Sequence, residues 1–393
     1  MTKEAPNARI LRDFPPAITD QVATPCYLIS EELVERNCLL LDEVQRRTGA
    51  NILLALKAFA LPALFPLIRR YLPGVCASGA IEAQLGFEEF QGQVHTYSPA
   101  FSSAQMEKVI RFSDYILFNS VEQFWQHRAA IQRSSRKIEI GFRVHPGYSE
   151  VENDLYNPCL PGSRFGIHPE VLDDFDIQKI SGLHFHALCE QGADVLVRVL
   201  AHFEKRFGPY LHKLKWVNFG GGHHITREGY DLDLLCQTII DFKARYNNIE
   251  VFFEPGEAVV LNAGVFVTSV LDLIEHRSLA ILDSSAETHL PDILAMPYRP
   301  EIAGAGLPGE FPHTFELGGI SCLAGDNFGT YSFPRPLARG DRLVFGDMAL
   351  YSFVKNTSFN GVELPSIYTF SNTRPTPRLI RSFGYADYKR KIS

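Results

Sequence analysis

At 393 residues, with 46% hydrophobic and 21% charged side chains, the chain is long enough for two domains and apolar enough to fill their cores, which excludes wholesale disorder. A net charge of -7 argues against a nucleic-acid scaffold and suits a protein that handles small molecules. The seven cysteines are odd in number, scattered and without a C-x-x-C pair, so they read as reduced thiols of a cytoplasmic protein. The charged, proline-bearing start is unlike a signal peptide, and no apolar run approaches the ~20 residues of a spanning helix, so no membrane role is expected.

In chain order, TPCYLIS (24–30) is the first strand-like segment. It precedes the main repeat and is expected to pair with the C-terminal region. From about residue 50 to 256 a rhythm follows, in which a short apolar run closes on a polar residue or glycine and an amphipathic stretch often comes next. The expected strands are 52–57, 75–78, 93–98, 115–120, 139–144, 182–186, 215–220 and 250–256. Helices are expected at AFALPALFPLIRRYL, SSAQMEKVIRF and DVLVRVLAHFEKRF. Apolar runs this continuous suit strands covered on both faces. Eight of them alternating with helices predict an α/β fold, an eight-stranded parallel TIM-type barrel, over an open doubly wound sheet. After residue 270 proline and glycine become dense and β-type runs dominate. The expected organisation is a barrel over 31–270 and a discontinuous β-rich domain formed by 1–30 and 271–393. The connection 146–168 is longer than an ordinary one, as functional or mobile loops are.

Barrel enzymes place their chemistry at the carboxyl ends of the strands. Here those ends carry Lys57, Ser78, Ser98, Asn119, Arg143, His186, the run Gly220, Gly221 and Gly222, and Glu254. A lysine inside LLALKAF calls for a reason, because burying a cation is costly and lowers its pKa. A desolvated, neutral lysine amine can bond covalently to an aldehyde. No H-R-D or D-F-G follows it, which removes the kinase reading. The three glycines after the seventh strand can wrap a phosphate with their N–H groups, yet lack dinucleotide or Walker spacing. Glu254, in EPGE, is placed to keep a pyridine nitrogen protonated. Together these point to pyridoxal 5'-phosphate (PLP). His184 and His186, two apart on one strand, share a face. They leave two readings open, an imidazole stacked on a cofactor or, with His224, a metal-dependent barrel hydrolase.

Taken together, these motifs resemble the alanine-racemase-fold (fold-type III) PLP decarboxylases, the group containing diaminopimelate and ornithine decarboxylases, over nearly the whole chain. The resemblance implies that Lys57, in A-L-K-A, carries the cofactor and that His186, in G-x-x-F-H, stacks on its ring. It implies that Gly220, Gly221, Gly222, Gly256, Arg143 and Tyr351 help to hold it, with Glu254 facing the ring nitrogen. SCLAGD supplies Cys322 as a catalytic proton donor, contributed by the partner subunit of a homodimer, and Asp326 as its acidic companion. The segments EPGEA, ILDSSAETHLPDILAMPYRP and GGISCLAGD resemble the branch acting on carboxynorspermidine and carboxyspermidine in polyamine biosynthesis. Where relatives read E-P-G-R, this chain has Glu257, which suits a cationic substrate end; Asp283, His289, Asp292 and Asp326 are further candidate substrate acceptors. Leu323 replaces an acid of the relatives. A diaminopimelate-type decarboxylase is the alternative within the group, and a non-catalytic PLP-binding protein the alternative outside it. No resident metal is expected.

Overall fold

The computed structural model describes residues 7–393. The described residues fold into two compact units, residues 35–259 and residues 7–34 with 260–393. Among the described residues no helix is long and apolar enough to cross a membrane.

Strand β1 (Cys26–Ser30) is followed by the helix Glu31–Thr48, which carries the chain from one unit into the other. The barrel then takes β2 (Asn51–Ala55), β3 (Gly74–Ala77), β4 (Gln93–Tyr97), β5 (Tyr115–Phe118), β6 (Glu139–Arg143), β7 (Gly182–His184), β8 (Trp216–Asn218) and β9 (Glu250–Phe253). All eight close in sequence order, every neighbouring pair is parallel, and β2 pairs with β9. The eight apolar runs are therefore the eight barrel strands, seven of them shorter than their runs and β3 of equal length.

One side chain fills much of the lower lumen. Trp216 is 1% exposed and packs with Leu53, Leu117 and Phe252, flanked by Tyr97 and Tyr115. Burying an indole of this kind stabilises by roughly 5 kcal/mol. It fits because its neighbours lack side chains. A Cβ on Gly182 would lie 2.1 Å from the Trp216 ring, and one on Gly141 2.3 Å from it.

The outer helices begin where their sequences provide caps. Ser102 and Gln105 form a reciprocal capping box, and Ser120 and Asp231 each accept from a backbone N–H of the first turn. In Ala193–Leu211 the buried residues Leu196, Val199, Leu200, Phe203 and Phe207 form one apolar stripe. The helix expected over 58–72 is reduced to a 3-10 turn, Pro62–Leu64, and the short helix Phe65–Ile68. Pro62 and Pro66 remove the donors a longer helix needs.

The second unit is a mixed sheet. It comprises β10 (Gly264–Ile274), β11 (Leu279–Leu282), β12 (His313–Gly318), β13 (Asn327–Phe333), β14 (Arg342–Phe345), β15 (Ser366–Ser371) and β16 (Arg374–Arg381). The order is β13-β12-β11-β10-β1-β15-β16, with β14 on β10. All five residues of β1 are buried, between antiparallel β10 and parallel β15. Because β10 pairs with β1, the border lies at Val259/Val260 and not at residue 270.

Candidate active site

The strand carboxyl ends gather a cleft lined by Lys57, Arg143, His184, His186, Gly221 and Glu254, among others. A larger cleft, of about 420 Å³, opens at the opposite rim around Gln45, Asn51 and Tyr71. It lies at the amino ends of the strands, where barrels do not place their chemistry.

Strand β2 stops at Ala55, and Lys57 sits in the turn that follows. The Leu56 N–H donates to the Cys76 carbonyl (3.0 Å) and the Ala58 N–H to the Ala55 carbonyl (3.0 Å). Leu56 and Ala58 are buried while Lys57 is exposed. The expectation of a desolvated lysine inside the strand is thus corrected: the chain turns before Lys57 and presents its amine at the open mouth. A Cβ on Gly256 would lie 2.5 Å from that of Ala58. The glycine of EPGE therefore packs directly beneath the lysine turn.

His186 is fixed by the glycine run, whose Gly221 N–H donates to Nδ1 (2.9 Å). That bond assigns the ring proton to Nε2. Burial, assisted by the charges of Lys57 and Arg143, pushes its pKa well below 6.5, so the imidazole is neutral at neutral pH. The run cannot be built from other residues. Gly220 and Gly222 have φ of 71° and 81°, and a Cβ on Gly221 would lie 2.5 Å from the Glu254 carbonyl oxygen.

Glu254 is held from two strands. Asn218 Nδ2 donates to Oε1 (2.7 Å), and His184 Nε2 lies 3.5 Å from Oε2. Asn218 Oδ1 also accepts from the Gly220 N–H (2.8 Å), which ties the acid to the glycine run. Burial alone would raise the Glu254 pKa. The neighbouring His184 and His95 imidazoles and the Asn218 amide outweigh it and bring the pKa down to about 2. The carboxylate stays an anion through the physiological range.

Arg143, 6% exposed, lies between the rings of Tyr97 (4.8 Å) and Phe165 (4.3 Å). Asn119 Oδ1 accepts from both the Tyr97 hydroxyl (2.7 Å) and the Gly166 N–H (2.8 Å). The end of the long connection 146–168 is thereby docked over the arginine. Glu257 is nearly buried, with His224 Nε2 3.4 Å from its Oε2. His224 thus faces Glu257, and among the described residues no group of three or more His, Cys, Asp or Glu stands where it could hold a metal ion. The trio His184, His186 and His224 is not assembled as a metal site.

Several acids expected to meet substrate are occupied inside the sheet unit. Asp326 accepts from the N–H groups of Ala286 (2.7 Å), Ser321 (2.9 Å) and Glu287 (3.3 Å). Asp283 accepts from the Thr268 hydroxyl (2.5 Å) and the Ser269 N–H (2.9 Å). His289 is fully buried, with Nε2 on the Glu363 carbonyl (3.0 Å) and Nδ1 accepting from the Ser285 N–H (3.3 Å). Asp292 is ion-paired to Lys355. All four thus make contacts within the sheet unit itself. Cys322 is exposed, with its N–H donating to Asn360 Oδ1 (2.9 Å). Tyr351 adopts a left-handed φ of 43°.

Sequence reasoning passed over Asn218, Tyr97 and His95. The available signals were an asparagine directly before F-G-G-G and a histidine inside the apolar strand QVHTY.

Comparison with known proteins decides the family. A family model described as "Pyridoxal-dependent decarboxylase, C-terminal sheet domain" matches residues 26–349. The chain belongs to the pyridoxal-dependent decarboxylase family. This decarboxylase is similar to the carboxynorspermidine/carboxyspermidine decarboxylase of Campylobacter jejuni, 40% identical over 94% of this chain and 98% of that one. It is also similar to the carboxyaminopropylagmatine decarboxylase of Synechocystis, 40% identical over 94% of this chain and 95% of that one. The crystal structure of carboxynorspermidine decarboxylase from Campylobacter jejuni, complexed with norspermidine, superposes with a TM-score of 0.87 at 39% identity. The match covers 94% of this chain and 100% of that one.

The cofactor of this family is PLP, and the cleft of this decarboxylase fits it. It offers an amine at an open mouth, a carboxylate kept anionic, and glycines at positions a Cβ would fill. It also leaves the ring nitrogens of buried His184 without hydrogen-bond partners.

Proposed function

We propose that this chain decarboxylates carboxynorspermidine and carboxyspermidine, releasing carbon dioxide and norspermidine or spermidine. The observation that carries this reading is the meeting of Lys57, His186 and Glu254 in one cleft of a chain collinear with the Campylobacter enzyme. Lys57 would hold PLP covalently, His186 would pack against its ring with Arg143 near it, and Gly220, Gly221, Gly222 and Tyr351 would hold its phosphate end. Bound there, the cofactor supplies an electron sink for the pair left on the α-carbon as carbon dioxide departs. Glu254, held anionic by Asn218 and its histidine neighbours, keeps a proton on the ring nitrogen. The proton that replaces the carboxylate comes from the thiol of Cys322, delivered by a second copy in a homodimer. Solvent then reprotonates the thiol, so each turnover consumes one proton and leaves the cofactor unchanged. Glu257 receives a cationic amine of the substrate. The reaction takes place in the cytoplasm.

The test is carbon dioxide release by the purified holoenzyme from carboxynorspermidine, carboxyspermidine and diaminopimelate. Turnover confined to the two polyamines is expected; preference for diaminopimelate overturns the reading. The Synechocystis relative, at the same identity, favours one second reading, a carboxylated polyamine ending in a guanidinium, and carboxyaminopropylagmatine belongs in the same assay.

A further inference from the structure

His95 is placed where stability alone would not keep a histidine. It is fully buried on β4. Its ring stacks on Tyr115 (centroids 3.8 Å apart, planes at 12°) and lies 4.7 Å from Phe252. The ring faces are therefore well packed. The edges are not, since neither nitrogen has a hydrogen-bond partner. A phenylalanine would fill similar space without the penalty of orphaned polar atoms.

His184 repeats the pattern. It is 2% exposed, and neither ring nitrogen makes a hydrogen bond. Its Nε2 nevertheless stands 3.5 Å from Glu254 Oε2. Both histidines line the cleft that contains Glu254, although they come from β4 and β7, which are not adjacent in the barrel. Asn218 serves Oε1, and Oε2 faces His184. Burial brings the His95 pKa down to about 3 and lowers that of His184 as well, so both are neutral and each brings an N–H dipole without a competing charge. Arg143 also acts electrostatically on Glu254, and the Cys76 thiol, kept protonated by burial, hydrogen-bonds it.

We infer that His95 and His184 are positioning residues for Glu254, a pair of imidazoles in its cleft that fixes the carboxylate so that it meets the cofactor's ring nitrogen in one orientation. His184 acts from beside Oε2 and His95 from the same cleft. This rests on the reading of Glu254 as the partner of that nitrogen.

The experiment compares Glu254→Gln, His95→Phe, His95→Gln and His184→Asn with the wild-type enzyme. It measures the equilibrium affinity of each apoenzyme for PLP, the absorbance of each holoenzyme as a function of pH, and kcat and KM. Melting temperatures establish that each variant is folded. His95→Phe is expected to melt no lower than wild type, yet to bind PLP about tenfold more weakly, with a shifted absorbance titration and a loss confined to kcat. His95→Gln, which restores a donor, is expected to recover part of the affinity. His184→Asn should behave like His95→Phe. If Glu254→Gln changes affinity and spectrum while folded His95 and His184 variants match wild type, the inference is overturned and the Glu254 reading stands. If Glu254→Gln itself changes neither, that reading falls and the inference falls with it.

Discussion

Two buried histidines, one in each unit, show what separates the barrel mouth from the sheet. His289 in the sheet unit has both ring nitrogens engaged by backbone groups, and Asp283 and Asp326 nearby also accept from backbone N–H groups. His95 in the barrel is as deeply buried and has neither nitrogen engaged. In the sheet unit these groups hold loops together, although the Thr288 and Thr369 hydroxyls there are buried without partners too. The barrel mouth differs in that its unpartnered imidazoles, His95 and His184, line the one cleft that contains Glu254.

The largest effect should come from the mouth itself. Lys57→Ala is expected to remove the visible cofactor absorbance and at least about 10⁴-fold of kcat; a variant retaining both would break the distinction at its strongest point. In the sheet unit the loss should be of stability and not chemistry. Asp326→Ala strands three backbone N–H groups and should destabilise by roughly 3 kcal/mol, read by denaturant unfolding, with KM unchanged in the folded fraction.

Acid should act on both units. Burial brings His95 to about 3 and both His223 and His289 to about 4. In the folded chain these groups bind protons more weakly than in the unfolded one. Stability is therefore complete above about pH 6.5 and falls as the pH drops towards 4. Each group contributes a loss on the order of 3 kcal/mol at that point. Melting temperatures measured from pH 7 to 4 should decline, and His95→Phe should flatten the decline. The smallest effect sharpens the contrast between acids: Glu257→Gln should raise KM for a carboxylated polyamine about tenfold, whereas Asp283→Asn should leave KM alone.

The barrel was legible because its signal is local. Each of the eight apolar runs closes on a polar residue, and that pattern alone placed Lys57, Arg143, His186, Gly221 and Glu254 at one rim. The short helix at 65–68 was misread because amphipathic spacing outweighed Pro62 and Pro66. The contacts of Asp283, Asp326 and His289 were hidden for a different reason. A carboxylate or imidazole in a loop looks available in a sequence, and only the folded loop reveals which N–H groups already occupy it.

What the chain's sequence settles unaided is the ring of strands and the residues at their ends, since strand periodicity and glycine placement are properties of neighbours along the backbone. What the tertiary structure alone decides is the company Glu254 keeps. Asn218 and His184 come from two different strands and meet one carboxylate, with His95 from a third in the same cleft, only because the barrel closes. No short-range pattern encodes that closure geometry, and so neither their meeting nor the orphaned imidazole edges could be read before the fold was seen.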